Sequence, residues 1–233
     1  MIVLGFDTAT QATAVALLDA ATGAAAERRH EPAAGERPGH AAQLLALASE
    51  LLEEAGIAFA AVELIAVGLG PGTFTGLRIG VATARALAQA TGAPLMGIST
   101  LRALAAAAEP EAPAGTGVLA VIDARRAEVF AAGWRDGEPV LDPVAVAPAA
   151  LAGRLRDGPG TWLAVGDGAL RFRADLEGGG AQIAPDRSPL HGVRAETICR
   201  LALQAPQATA RDLLVPDYLR QPDAARTRNR PDR

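Results

Sequence analysis

One stretch in the first half of the chain restricts the fold more than any other: Val67-Gly-Leu-Gly-Pro-Gly-Thr-Phe-Thr-Gly-Leu-Arg-Ile-Gly80. Just before its glycines, residues 64–67 (Leu-Ile-Ala-Val) make a short apolar run, the pattern of a buried strand. After them, residues 77–90 place apolar or small side chains three and four apart, at Leu77, Val81, Ala84 and Ala88. That is helical spacing, and Gly92 followed by Pro94 closes it. The stretch therefore reads as strand, glycine-rich elbow and helix start. Pro71 presets one backbone angle, while Gly70 and Gly72 allow close backbone approach. Thr73 and Thr75 are each placed to cap the helix N-terminus.

Such an elbow can cradle an anion, because a helix start points free N–H groups outward. It is not a Walker A loop, which needs Gly-Lys-Ser/Thr at its end. Leu77 follows Gly76 here, and all 22 cationic residues of the chain are arginines. A lysine Schiff base and a phosphate-gripping lysine are excluded with it. On residues alone, glycines that serve strand-to-helix geometry and close helix packing are slightly favoured over an anion cradle.

The 233 residues are 50% hydrophobic, enough for one large domain or two smaller lobes. A net charge of −4 gives no basic field for nucleic acid, and 3% aromatic residues give few stacking platforms for bases. Cys199 is the sole cysteine, so no intrachain disulfide forms, as suits a reducing compartment. No apolar run approaches the ~20 residues of a membrane span. The start lacks the basic region and cleavage site of a signal peptide. The expectation is a soluble cytoplasmic protein.

Ahead of the elbow, residues 2–6 and 13–19 read as strands, with Asp7 at the end of the first, and a third lies near 24–30. Residues 39–55 read as a helix whose stripe is Leu44, Leu45, Ala48, Leu51, Leu52 and Ala55, closed by Gly56. Residues 95–98 form another strand, and Ser99 caps a helix to about Ala108. Three strands, helix, strand, helix, strand is the order of a ribonuclease H-like lobe, the half-unit of the actin/hexokinase/Hsp70 superfamily. A linker, 109–115, precedes a second apolar strand ending in an aspartate, Asp123. A further strand (128–134) and an Asp136-Gly137 turn follow, echoing the opening residues as an internal repeat. The expected architecture is α/β: an N-terminal lobe over 1–108 and a shorter, degenerate lobe over 116–220. The second lobe holds a helix at 148–156, a strand at 162–165, a turn at 166–168 and a helix at 194–204. Residues 221–233 read as a disordered tail.

The elbow, Gly-Pro-Gly-Thr-Phe-Thr-Gly-Leu-Arg-Ile-Gly, closely resembles the signature of the TsaB (YeaZ) family. The likeness extends to Asp7-Thr-Ala-Thr10, to His40 at the head of the first helix, and to Ile122-Asp-Ala-Arg125. It continues through Gly166-Asp-Gly168 and Pro216-Asp-Tyr-Leu-Arg220, and is strongest over the first 105 or so residues. The resemblance implies a non-catalytic dimerisation subunit of the bacterial threonylcarbamoyl-tRNA synthesis complex. It further implies a TsaD-like catalytic partner, a TsaE-like ATPase reached through the complex, a homodimer when alone, and tRNA met only through the complex.

The residues agree with a chain that does no chemistry of its own. TsaD carries a His-x-x-x-His metal pair at the head of the corresponding helix, but four residues after His40 stands Leu44. His30 and His191 lack ligand spacing, so no metal and no cofactor are expected. Asp-x-Gly-Thr/Ser phosphate turns are absent, since Asp7-Thr-Ala-Thr lacks the glycine and Asp123-Ala-Arg-Arg lacks both glycine and hydroxyl. Asp7 and Asp123 are better read as strand-end caps. Cys199 falls in an apolar-periodic helix and reads as core, which leaves no nucleophile constellation for a peptidase. An ATP-dependent phosphotransferase of the actin/hexokinase class is the alternative function. For a pairing surface, the expected residues are His40, Leu44 and Leu47 on the first helix. On the elbow and second helix they are Thr73, Phe74, Thr75, Arg78, Ile79, Thr83 and Leu87.

Overall fold

The computed structural model describes residues 1–33, 35–205 and 213–220. Strands β1 (Ile2–Asp7), β2 (Thr13–Asp19) and β3 (Ala25–His30) form an antiparallel meander. After α1 (His40–Ala55), β4 (Leu64–Gly70) adds parallel to β1. Helix α2 (Phe74–Thr91) then leads to β5 (Leu95–Ser99), parallel to β4, and to α3 (Thr100–Ala108). The sheet order is β3-β2-β1-β4-β5.

The second half repeats the plan. β6 (Gly117–Arg125), β7 (Glu128–Arg135) and β8 (Glu138–Val146) form another meander. They are followed by α4 (Pro148–Asp157), β9 (Trp162–Val165), α5 (Asp167–Arg171), α6 (Arg173–Gly178), β10 (Ala181–Ile183) and α7 (Ala195–Gln204). Its order, β8-β7-β6-β9-β10, matches the first sheet strand for strand. The internal repeat read from the two aspartate-ended strands is thus an architectural one.

Sequence reasoning missed β8, α5, α6 and β10. β8 is an exposed edge strand holding Pro139 and Pro143, and proline is tolerated where no ladder N–H is needed. The three other elements are six residues or shorter, too short to show a period. The proposed tail lies outside the described residues.

α1 buries Leu44, Leu47, Ala48, Leu51 and Leu52 against β2 and β3. The stripe is therefore centred about one residue away from the expected one. Leu47 belongs to it, while Leu45 is 45% exposed and Ala55 is exposed. α2 begins at Phe74, earlier than expected, and buries Gly76, Leu77, Gly80, Val81, Ala84 and Ala88 against β4. Neither threonine cap forms as expected: Thr73 is the N-cap residue without a side-chain capping bond, and Thr75 is exposed. Ser99 does cap α3, accepting from the Arg102 N–H.

The two halves share a core. α3 packs across β6 and β7 of the second sheet, and α7 packs across β1 and β2 of the first. One apolar cluster runs through Leu18, Leu101, Leu104, Val118, Phe130 and Ile198. Cys199 fills the gap over Gly5, where a Cβ would lie 2.4 Å from its Sγ. At the rim, the Glu27 carboxylate accepts from the Ala195 and Glu196 N–H groups at the start of α7 (3.2 and 3.4 Å).

Candidate functional site

The elbow is clamped to the turn between β1 and β2. The Thr73 N–H donates to the Ala9 carbonyl (2.7 Å), and the Thr8 hydroxyl donates to the Gly76 carbonyl (2.7 Å). A Cβ on Gly76 would lie 1.9 Å from the Thr8 carbonyl oxygen, and one on Gly72 would lie 2.4 Å from that of Ala9. These glycines serve contact between two backbones. The Thr73 N–H at the head of α2 is thereby taken by the Ala9 carbonyl. The Gly70–Pro71 peptide is cis.

Asp7 faces inward from this junction. One carboxylate oxygen accepts from the Ala9 N–H (2.7 Å), the other from the Thr100 hydroxyl (2.8 Å), which in turn accepts from the Gly70 N–H (3.1 Å). Burial pushes its pKa up, only partly offset by the bonds from Ala9 and Thr100. Asp7 is the strand-end cap expected from its position.

The corresponding turn of the second half is occupied differently. Asp123 accepts from the Arg125 N–H (2.8 Å) and pairs with the guanidinium groups of Arg171 (2.8 Å) and Arg125 (3.2 Å). The β6–β7 turn holds three successive residues in the left-handed region, Arg125 (φ 63°), Arg126 (φ 55°) and Ala127 (φ 57°). Asp167 accepts from the Asp123 N–H (3.0 Å), and burial raises its pKa as well.

Between the halves lies a cleft of about 670 Å³, lined among others by Thr10, Gln11, Glu27, Arg29, Asp167 and Arg187. Much of its charge holds the halves together. Arg29 pairs with Glu31 (2.6 Å) and donates to the Val193 carbonyl (2.8 Å), while Glu27 caps α7 and pairs with Arg194 (3.5 Å).

Three of the residues expected on a pairing surface are buried within the chain itself. His40 is 3% exposed, its Nδ1 sharing a hydrogen bond with the Thr13 hydroxyl (2.8 Å), and burial lowers its pKa. Leu44 and Leu47 are core residues. They are withdrawn from the surface, because a residue that fills the gap between helix and sheet has no face left for a partner. The remaining seven do cluster along α2: Thr75 and Arg78 are exposed, and Thr73, Phe74, Ile79, Thr83 and Leu87 are half-buried. Ala82, Ala86 and Ala90 continue that face, and Ala41, Ala42, Leu45 and Ala46 give α1 an exposed, uncharged one. Sequence reasoning missed Leu45 through its one-residue error in the stripe.

Residues 216–220 stood out only as a stretch resembling the family, with no place in the fold; in the structure the segment 213–220 returns across the elbow. The Asp217 N–H donates to the Leu69 carbonyl (2.7 Å), and Tyr218 stacks on Phe74 with ring centres 5.2 Å apart. The available signals were the family likeness of residues 216–220 and the fact that Tyr218 is the sole tyrosine of the chain.

Among the described residues no group of three His, Cys, Asp or Glu side chains is placed to hold a metal ion, and no helix is long and apolar enough to cross a membrane. The Cys199 thiol is buried against the Val3 and Ala16 carbonyls, and burial pushes its pKa far up, the opposite of a reactive cysteine.

Residues 32–154 match the family model described as TsaD, tRNA N6-adenosine threonylcarbamoyltransferase. The chain is 34% identical over 173 residues to the tRNA threonylcarbamoyladenosine biosynthesis protein TsaB of Escherichia coli, covering 72% of each protein. Its structure resembles YeaZ from Pseudomonas aeruginosa with a TM-score of 0.73 and 31% identity, over 93% of this chain and all of that one. It also resembles the ROK hexokinase of Thermus thermophilus with a TM-score of 0.52, over 88% of this chain and 99% of that one. At 14% identity this likeness speaks to the actin-like fold alone.

Proposed function

The chain belongs to the TsaB (YeaZ) family, and we propose on that footing that it is a non-catalytic subunit in the making of threonylcarbamoyladenosine on tRNA. Its relatives carry that pathway in their name. In this reading the chain pairs with a TsaD-like subunit, which performs the transfer to the adenosine beside the anticodon. A TsaE-like ATPase and the tRNA are engaged through the assembled complex, in the cytoplasm. The isolated chain forms a homodimer through the same face.

The observation that carries the non-catalytic reading is the closure of the elbow on the β1–β2 turn. In an actin-like phosphotransferase such turns must leave backbone N–H groups open to phosphate. Here the Ala9 N–H is taken by the Asp7 carboxylate and the Thr73 N–H by the Ala9 carbonyl. Asp123, at the matching place in the second half, is paired with two arginines. The pairing surface is the joint outer face of α1 and α2. Residues 40–49 carry no Asp, Glu, Lys or Arg, and the exposed alanines of both helices allow close approach of another helix. With a net charge of −4, the chain has little attraction for RNA on its own.

Nucleoside mass spectrometry of total tRNA tests the pathway. Removing this chain from its native cell is expected to abolish threonylcarbamoyladenosine, and returning the chain to restore it. An unchanged modification level contradicts the proposal. Purified chain is further expected to hydrolyse Mg-ATP no faster than background. Robust hydrolysis abolished by Asp7→Ala would replace the scaffold reading with the phosphotransferase one.

A further inference from the structure

The returning segment 213–220 is held at three points. Leu214 is buried in the first core, the Asp217 N–H donates to Leu69, and Arg220 pairs with Glu128 (2.7 Å). Beside and between those points it turns apolar side chains outward: Leu213 is 73% exposed, Val215 58% and Tyr218 38%. Half of the exposed large apolar residues among the described ones thus lie on eight residues of chain. In a chain so poor in aromatic residues, placing its one tyrosine at the surface calls for a reason.

Tyr218 is not loose there. Its ring stacks on Phe74, its hydroxyl accepts from Arg78 Nε (3.3 Å), and the Arg78 guanidinium lies 4.0 Å from the centre of the Phe74 ring. Phe74 and Arg78 stand on the first turns of α2, so the cluster continues the outer face of that helix. Tyrosine and arginine are the residue types that most often dominate protein interfaces. Side chains already locked together lose little further freedom on binding.

We infer that Phe74, Arg78 and Tyr218 form the anchor of the pairing surface, and that the segment 213–220 extends this surface beyond the two helices. The inference rests on the reading that α2 faces the partner. The occupant is the TsaD-like subunit. Its complementary patch is an apolar helix surface that covers Tyr218 and Val215, edged by a carboxylate that meets Arg78. The continuity of the cluster with the uncharged α1–α2 face is the ground for choosing this occupant.

The test is titration calorimetry of the full-length chain with the TsaD-like subunit of the same cell, with melting curves alongside. Tyr218→Ala and Val215→Glu are each expected to weaken binding by about tenfold or more. Val215→Glu, on an outward-facing side chain, is expected to leave the melt unchanged. Tyr218→Phe, which keeps the ring and loses the hydroxyl, is expected to fall between wild type and Tyr218→Ala. Thr83→Trp, in the middle of α2, separates the two claims. If it abolishes binding while Tyr218→Ala and Val215→Glu bind as wild type, the cluster is an internal brace and the inference is overturned, with the α2 face intact. If Thr83→Trp also binds as wild type, the face itself is misplaced. Should Tyr218→Ala fail to fold, Val215→Glu decides alone.

Discussion

Asp7 ends β1 buried, with the Ala9 N–H and the Thr100 hydroxyl as its partners. Its folded pKa is raised above the ordinary value of 3.8, with burial as the main cause. An acid with a raised folded pKa binds more protons folded than unfolded. Its contribution to stability is therefore greatest at low pH and falls as pH climbs from about 4 through the folded value. Urea unfolding across that range is expected to show wild type losing stability relative to Asp7→Asn as pH rises, and parallel curves would contradict the assignment. A second test at this scale is Ala127, whose left-handed φ of 57° costs a residue with a Cβ about 1 kcal/mol. Ala127→Gly is expected to raise the melting temperature by about 2–4 °C. A lower one would mean that the turn is not strained. Neither feature was legible in advance. Asp7 could be read as a cap from its place at a strand end, but its raised pKa comes from burial by elements far away in sequence, against which the bonds from Ala9 and Thr100 act only in part. Nothing in Arg-Arg-Ala announces a left-handed turn.

At the scale of elements, the two helices beside the elbow were visible because each repeats apolar residues over four or more turns. The elbow itself was visible because its glycines stand out in any window. That the glycines serve close packing was legible, but not what they pack against. Their contacts are with Thr8 and Ala9, and only the fold brings that turn under α2. Gly76→Ala would place a Cβ against the Thr8 carbonyl, and is expected to cost about 3 kcal/mol in chemical denaturation. A variant as stable as wild type would show that the junction has room, and with it the possibility of an anion site. Exposed edge strands such as β8 and single-turn helices such as α5 carry too few buried positions to print a period. Of the residues expected on a pairing surface, those on α2 are exposed or half-buried along one side of the helix, whereas His40, Leu44 and Leu47 are buried. Leu44 already stood in the apolar stripe of α1, and the stripe read one residue out of phase left Leu47 outside it. Tyr218 lay outside any helical pattern.

For the whole molecule, the important feature is that each half lends a helix to the other. α3 covers the second sheet and α7 the first, and a single apolar cluster connects them. The halves are expected to melt in one calorimetric transition, and two separate transitions would contradict a shared core. Leu104, 1% exposed in that cluster, tests its weight. Leu104→Ala is expected to lower stability by about 3 kcal/mol without splitting the transition. A molecule joined in this way suits a part that presents a surface to a partner. That surface can be interrogated at Thr83, half-buried on the outer side of α2, where added bulk would keep another helix at a distance. The most direct measurement is light scattering on size-exclusion fractions of this chain mixed with the TsaD-like subunit proposed as its partner, wild type against Thr83→Trp. Wild type is expected to elute as a heterodimer, and Thr83→Trp as separate subunits with an unaltered melting curve. A Thr83→Trp chain that still forms the heterodimer, or a wild-type chain that never does, would contradict pairing through this face.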